Sequence, residues 1–256
     1  MKFFILFALG AYSMAAASPV SRVINGEEAK PGQFPFQALL TPEFPEGKAL
    51  CGGVLVSDRF VLTAAHCLHK ALSVEVTLGA LDRTNLQEEG RVTFLVNATD
   101  FKVHEKYNVL VHNDIGIIRL PESVTFTDRV QPAKLPENDK NKYENEVAVV
   151  SGWGVEHFGD KEAPKKLRFT DLTVITNAEC RKSYNFLLIK DTTLCAQGQN
   201  NKSACSGDSG GPLVTKKSGE LVGLTSFVGA EGCEVGLPGG YTRVSKYLDW
   251  IKKNSE

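Results

Sequence analysis

The stretch "ACSGDSGGPLV", residues 204–214, brings Asp208, Ser209 and three glycines together in an otherwise ordinary sequence. A serine hydroxyl is a poor nucleophile near neutral pH unless a base takes its proton, and imidazole has the unperturbed pKa for that work. The imidazole in turn needs a carboxylate to fix its tautomer and stabilise its charged form. Two other stretches offer these groups: "TAAHC" with His66 and "HNDIGIIRL" with Asp114. The glycines also have a physical use. Acyl transfer places negative charge on the former carbonyl oxygen, and backbone N–H groups approach it closely only where no side chain obstructs them. Gly207 and Ser209 are the expected donors.

Around these motifs the chain reads as all-β. Short β-branched or aromatic runs recur, among them "QALL", "GGVLV", "FVLTAA", "VEVTL", "VTFLV", "DIGIIRL", "EVAVVSGW", "FTDLTVI", "LVGLTSF" and "GGYTRV". Gly, Pro, Asn and Asp break them, the pattern of a sandwich or barrel. Only the end looks helical: Val244, Leu248 and Ile251 keep one helical face, and Lys252 and Lys253 suit its C-terminal end. The polar, turn-rich "LPENDKNKYENE", residues 135–146, reads as a crossing between two halves.

Residues 1–17 show one lysine, an apolar run and a small-residue tail, which predicts a secretory signal. No stretch is long and uncharged enough to predict a membrane span. A border at Arg22–Val23 makes 18–22 a candidate activation propeptide and 23–256 the working domain. The 29 Lys and Arg against 30 Asp and Glu argue against nucleic acid or anionic membrane as partners. Six cysteines suit three disulfides in an oxidising compartment, although spacing leaves their pairing open. "HCLH" at His66 to His69 lacks a second ligand cluster of zinc-site spacing, so neither metal nor cofactor is expected.

Read together, "CGGVLV", "VLTAAHC", "DIGIIRL", "VSGWG" and "CSGDSGGPLV" resemble, in order and over essentially all of 23–256, the chymotrypsin family of serine endopeptidases. The resemblance implies two six-stranded antiparallel β-barrels with the site in the cleft between them, and a C-terminal helix. It implies His66 as general base, Asp114 as its orienting carboxylate and Ser209 as nucleophile. It implies disulfides Cys51–Cys67, Cys180–Cys195 and Cys205–Cys233. It also gives Asp208 a partner: the amine of Val23, freed by cutting after Arg22, so that the uncut chain is a zymogen.

In the same resemblance the base of the primary pocket is Ser203, with Gly239 at a second position that can carry an acid. Neither is a carboxylate. A substrate Arg or Lys would bury its charge there without a partner, so trypsin-like specificity is disfavoured. Ser226 and Phe227 resemble the strand that pairs with substrate backbone, and Val228 stands on the remaining wall. Pointing inward, Val228 favours small aliphatic side chains; pointing away, it leaves an apolar slot for Phe, Tyr, Leu or Met, the preferred reading. The segment "SFVGAEGCE...YTRVSKYLDWI" is similar to arthropod enzymes of the brachyurin type, some of them collagenolytic, which implies a secreted, digestive role. Protein or peptide substrates, an activating trypsin-like protease, protein inhibitors and a monomeric state complete the expectation.

Other features take plainer readings. His69, His104, His112 and His157 are assigned surface or packing duties, Trp153 a packing role, and Glu88 and Glu89 a solvated acidic turn rather than a calcium site. Two sequons, Asn97-Ala98-Thr99 and Asn201-Lys202-Ser203, are open to glycosylation in an exported chain, the second disfavoured because Ser203 belongs to the pocket. A catalytically silent relative that binds partners is the alternative class. Such a protein commonly loses a member of the triad, and this chain keeps all three.

Overall fold

The computed structural model describes residues 26–256, so the predicted signal, propeptide and activation border at Arg22 and Val23 lie outside the described residues. Fifteen strands follow one another: β1 (Glu27–Glu28), β2 (Gln37–Phe44), β3 (Gly47–Lys48), β4 (Cys51–Leu55), β5 (Phe60–Thr63), β6 (Ser73–Leu78), β7 (Val92–Asn97), β8 (Phe101–Val103), β9 (Gly116–Arg119), β10 (Val147–Gly152), β11 (Arg168–Ile175), β12 (Thr193–Gln197), β13 (Pro212–Thr215), β14 (Leu221–Phe227) and β15 (Gly239–Arg243). Two short helices, α1 (Asn177–Cys180) and α2 (Leu248–Asn254), complete the described elements apart from single 3-10 turns.

The strands divide into two antiparallel halves. In the C-terminal half β11 pairs with both β10 and β12, closing the cycle β11-β10-β13-β14-β15-β12 into a six-stranded barrel, with β1 added outside β11. The N-terminal half runs β7-β6-β2-β4-β5-β9-β8, with β3 on β2, and curls without pairing β7 to β8. The all-β, two-half expectation with a C-terminal helix is met; the refinement is that one half stays open.

Period-two alternation explains the closed barrel. Thr170, Leu172 and Val174 of β11 point inward beside Ala148 and Val150 of β10, Leu194 and Ala196 of β12, and Leu213, Val222 and Tyr241. The open half fills its concave face with Leu40, Leu55, Val74, Val76, Leu78 and Ile118. A third cluster joins Val54, Leu62, Ile115 and Ile117 of the first half to Leu221, Leu224, Val244 and Ile251 of the second. The two halves therefore share buried surface, which fixes them against each other.

The predicted terminal helix begins differently from its pattern. Val244–Lys246 form a 3-10 turn, and Tyr247, with φ near −121°, separates it from α2. Tyr247 is held there by its hydroxyl, which donates to Asn113 Oδ1 at 3.0 Å, and by the ring of His104 at 5.4 Å.

The acidic turn needs a correction. Glu89 is exposed, but Glu88 is only 11% exposed at its side chain and is not a solvated group. Its carboxylate accepts from the N–H of Leu81 at 2.9 Å, from that of Asp82 at 2.9 Å and from Arg129 at 3.2 Å. Trp153 is buried as expected, with its indole N–H donating to Leu81 O at 3.0 Å.

Candidate active site

His66 rides on a single 3-10 turn, Ala65–Cys67, that follows β5. Asp114 lies just before β9 and is almost wholly buried. Its Oδ2 is 2.8 Å from His66 Nδ1, and its Oδ1 accepts from the backbone N–H of His66 at 2.9 Å. The carboxylate thus grips both the ring and the chain that carries it. Burial of the ring opposes its charged form, but the hydrogen bond and negative charge of Asp114 outweigh that cost, so the His66 pKa is raised.

Asp114 is itself held from the other half of the molecule. Ser226 Oγ, on β14, donates to Asp114 Oδ2 at 2.6 Å, and Thr242 Oγ1, on β15, donates to the Asp114 carbonyl at 2.6 Å. Ser226 was expected only in the substrate-pairing strand. Its contact with a residue 112 positions away gives no local signal in the sequence.

Ser209 sits on a tight turn braced on every side. Asp208 N–H donates to Cys205 O at 3.0 Å, Gly211 N–H to Asp208 O at 2.9 Å, and Gly210 N–H to Thr225 O at 2.7 Å. The Ser209 carbonyl accepts from Gly52 N–H at 2.8 Å, and Cys67 Sγ is 3.5 Å from the same oxygen. Since Cys51 and Cys67 are disulfide-bonded, the serine's backbone rests against the covalent tie that anchors the His66 turn. Among the described residues the Ser209 hydroxyl makes no hydrogen bond to the His66 ring; such bonds commonly tighten only with substrate present.

Gly207 has φ +101°, a conformation that side chains rarely adopt. Neither its N–H nor that of Ser209 donates to another described residue. Asp208 points the other way into a cradle at Gly152 and Gly154, where any Cβ would collide with the carboxylate. It accepts from Gly154 N–H at 2.7 Å and from Cys205 N–H at 2.9 Å. Burial nevertheless pushes its pKa up to about 6, only partly offset by those two donors. Among the described residues no Lys, Arg or His lies within ion-pair distance of it.

The predicted pocket residues gather beside this turn. Ser203 is buried, its hydroxyl donating to Ala204 O at 2.8 Å. Gly239 is buried against Tyr241, and a Cβ there would lie 3.1 Å from the tyrosine ring. Tyr241, which the sequence did not single out, is buried, and its hydroxyl has no partner among the described residues; burial raises its pKa, and the charge of Asp208 adds to the effect. Phe227 lays its ring on Gly240 and meets Tyr184 edge to face at 5.4 Å. Val228 is half-buried against the Cys205–Cys233 disulfide, and the third pair, Cys180–Cys195, underlies Phe227. No group of three or more His, Cys, Asp or Glu able to hold a metal occurs among the described residues, and no described helix is long and apolar enough to cross a membrane.

Known proteins share this arrangement at the level of the whole chain. The family model "Trypsin" matches residues 23–251. A collagenase of Hypoderma lineatum is 39% identical, with 100% of this chain and 98% of that protein covered. A brachyurin of Leptuca pugilator is 38% identical over 90% of this chain and 97% of its own length. A solved structure of HL collagenase superposes with a TM-score of 0.82 at 38% identity, covering 91% of this chain and 98% of the other. A chain matched along nearly its full length by that model, and folded like a solved protein of such identity, belongs to the trypsin family and is a serine endopeptidase.

Proposed function

We propose that this chain is exported as a zymogen and, once cut after Arg22, cleaves proteins after large apolar or aromatic residues. Ser209 is the nucleophile, His66 the general base and Asp114 the carboxylate that orients it. With Nδ1–H turned to Asp114, His66 Nε2 is free to take the Ser209 proton as Oγ attacks the carbonyl, and then to return it to the leaving amine. The oxyanion is received by the N–H groups of Gly207 and Ser209. Water then enters by the same base and releases the acyl group. The observation that carries this reading is the double grip of buried Asp114 on the ring and backbone of His66, at 2.8 and 2.9 Å.

Activation follows from Asp208. A buried carboxylate with two N–H donors and no cation among the described residues is suited to an incoming ammonium, and the Val23 amine is the candidate. Pairing there would fix the turn that presents Gly207 and Ser209. Residues 1–17 act as the leader and 18–22 as the propeptide. Because Ser203 gives Arg22 no carboxylate partner, the enzyme activates itself poorly and depends on a trypsin-like protease.

The specificity reading rests on Ser203 and Gly239, neither of which brings a charge to the assigned pocket base. An elastase-like preference is supported by one observation: Val228, which the resemblance assigns to the pocket wall, packs beside the Cys205–Cys233 disulfide. The names of the relatives, collagenase and brachyurin, add collagen as a candidate substrate. A digestive role, with protein inhibitors as regulators, fits a monomeric secreted enzyme of broad specificity.

Two experiments test the proposal. After cleavage at Arg22, a fluorophosphonate probe labels Ser209; absence of labelling would favour a silent binding protein. A peptide-library profile of the activated enzyme then shows cleavage after Phe, Tyr, Leu or Met. Dominance of Arg or Lys would overturn the pocket assignment.

A further inference from the structure

Two sequons are open to the same modification; both asparagines are exposed, and the difference lies in backbone conformation and in the hydroxyl residue of each. Asn97 ends β7, the unpaired edge of the open half, and is exposed. Its side chain makes no cap hydrogen bond to the 3-10 turn Ala98–Asp100 that follows, and Thr99 of the sequon is exposed as well. Asn201 has φ +60° and lays its Oδ1 against the backbone of Gly236. The hydroxyl residue of its sequon, Ser203, is buried with its Oγ bound to Ala204 O.

We propose that Asn97 is an N-glycosylation site and that its oligosaccharide covers the opening of the N-terminal half, while Asn201 stays unmodified. The opening has a surface suited to a sugar. The strand's side chains alternate, so Asn97 points to the same side as Leu95, which is 65% exposed. Beside them lies a hollow of about 190 Å³, whose lining includes the exposed Leu95 and Pro121 together with Arg59, Arg119 and Asp100. A pyranose presents an apolar face to the first set and hydroxyls to the second. An exposed edge strand with an outward leucine is a template for pairing with another chain, and a bulky hydrophilic group at its end blocks that approach.

The modification rests on the export reading and requires a lipid-pyrophosphate-linked oligosaccharide as donor. The amide nitrogen of Asn97 attacks the anomeric carbon of the first N-acetylglucosamine. An N–C bond forms, the C–O bond to pyrophosphate breaks, one amide proton is lost to a base and the lipid pyrophosphate departs. No electrons are exchanged with an oxidant.

The test is expression of 18–256 behind a proven secretory leader in insect cells, so that a fault in the native leader is not mistaken for an empty sequon. Peptide-N-glycosidase treatment should reduce the mass by one oligosaccharide and leave the mass signature of Asn97 converted to Asp. In secreted variants the oligosaccharide should be lost in Asn97→Gln and Thr99→Ala, and kept in Thr99→Ser and Asn201→Gln. The peptide reading uses unmutated protein and holds even if a variant fails to fold. Recovery of the Asn97 peptide wholly unmodified, or conversion at Asn201 instead, would overturn the inference, and neither result bears on the Ser209 chemistry.

Discussion

Asp114 Oδ2 receives the Ser226 hydroxyl at 2.6 Å and stands 2.8 Å from His66 Nδ1, so one buried oxygen serves two partners from opposite halves of the molecule. Ser226 acts here as a positioning residue, through Asp114.

That sharing predicts opposite pH shifts for two variants. Activity rises as His66 loses its proton, and its raised pKa places the acid limb of kcat/KM above the ordinary imidazole value of about 6.5. Ser226→Ala removes a donor from Asp114, concentrates charge on its interaction with His66, and moves the limb to higher pH with a loss of about 10-fold in kcat/KM. Asp114→Asn removes the charge, moves the limb to lower pH and costs on the order of 10²–10⁴ in kcat. Full pH–rate profiles of both variants check the signs, and shifts in one direction would refute the sharing.

Asp208 makes a prediction about stability. Its pKa of about 6 lies above that of an unfolded aspartate, so the folded state binds the proton more tightly. The penalty is absent below an unfolded pKa of about 4, grows as pH rises, and is complete above about 6, where it reaches about 3 kcal/mol. Pairing with the Val23 amine should remove most of it. Urea unfolding of uncut and cut protein at pH 4 and pH 7 should show stability falling with pH far more in the uncut form. Asp208→Asn should abolish the difference and lower the activity of the cut protein at least about 100-fold.

The triad residues were legible because each sits in a short motif whose chemistry is local: "TAAHC", "HNDIGIIRL" and "GDSGGP". Most strands were legible for the same reason, by alternation and punctuation. What escaped depends on distance. β12 and β13 hide in "TLCAQ" and "PLVT", where a disulfide cysteine and a strand-initial proline obscure the pattern. Ser226 reaches Asp114, and Arg129 reaches Glu88, only after the chain has folded, and a hydroxyl or guanidinium direction leaves no periodic trace. The open side between β7 and β8 is equally silent: "VTFLV" reads as a strand without naming its partner, and Phe101–Val103 is too short to read as a strand at all.

Glu88 stands as the keystone of its loop. Three donors converge on it, two from the backbone of Leu81 and Asp82 and one from Arg129, which also donates to Glu89 O at 2.7 Å. Glu88→Ala would leave those groups short of an acceptor and lower stability by about 2–3 kcal/mol. Because the arginine already supplies the positive charge, EDTA or added calcium should leave Tm unchanged. A calorimetric scan with each would expose the opposite behaviour, a calcium-dependent rise, at once.

A second histidine makes a pH-dependent tie between two surface loops. His157 Nδ1 is 2.5 Å from Glu234 Oε1, and Phe158 N–H donates to Glu234 Oε2 at 3.2 Å, tying the loop after Trp153 to the residue following Cys233. The hydrogen bond to Glu234 raises the His157 pKa. The tie is complete below the ordinary imidazole value and is lost as pH rises through the raised one. Hydrogen exchange, corrected for intrinsic rates, should therefore quicken around 157–160 and 232–235 above neutrality. His157→Ala should show fast exchange at every pH; pH-independent protection in the unmutated protein would count against the tie.

Val228 decides between the two specificities. It packs on the Cys205–Cys233 disulfide and is half-buried, and the proposed pocket base, Ser203 with Gly239, carries no charge. On the proposed chymotrypsin-like preference Val228 does not obstruct the substrate slot, and Val228→Gly should change the ratio of kcat/KM for Phe over Ala substrates by less than about 3-fold. A side chain blocking the entrance gives a different outcome. Its removal would release a steric exclusion and raise the same ratio by about 10–200-fold, the scale on which added apolar volume is accepted or refused in a pocket. Parallel kinetics on matched Phe and Ala peptides separate these results, and the larger rise would replace the chymotrypsin-like preference with the elastase-like one.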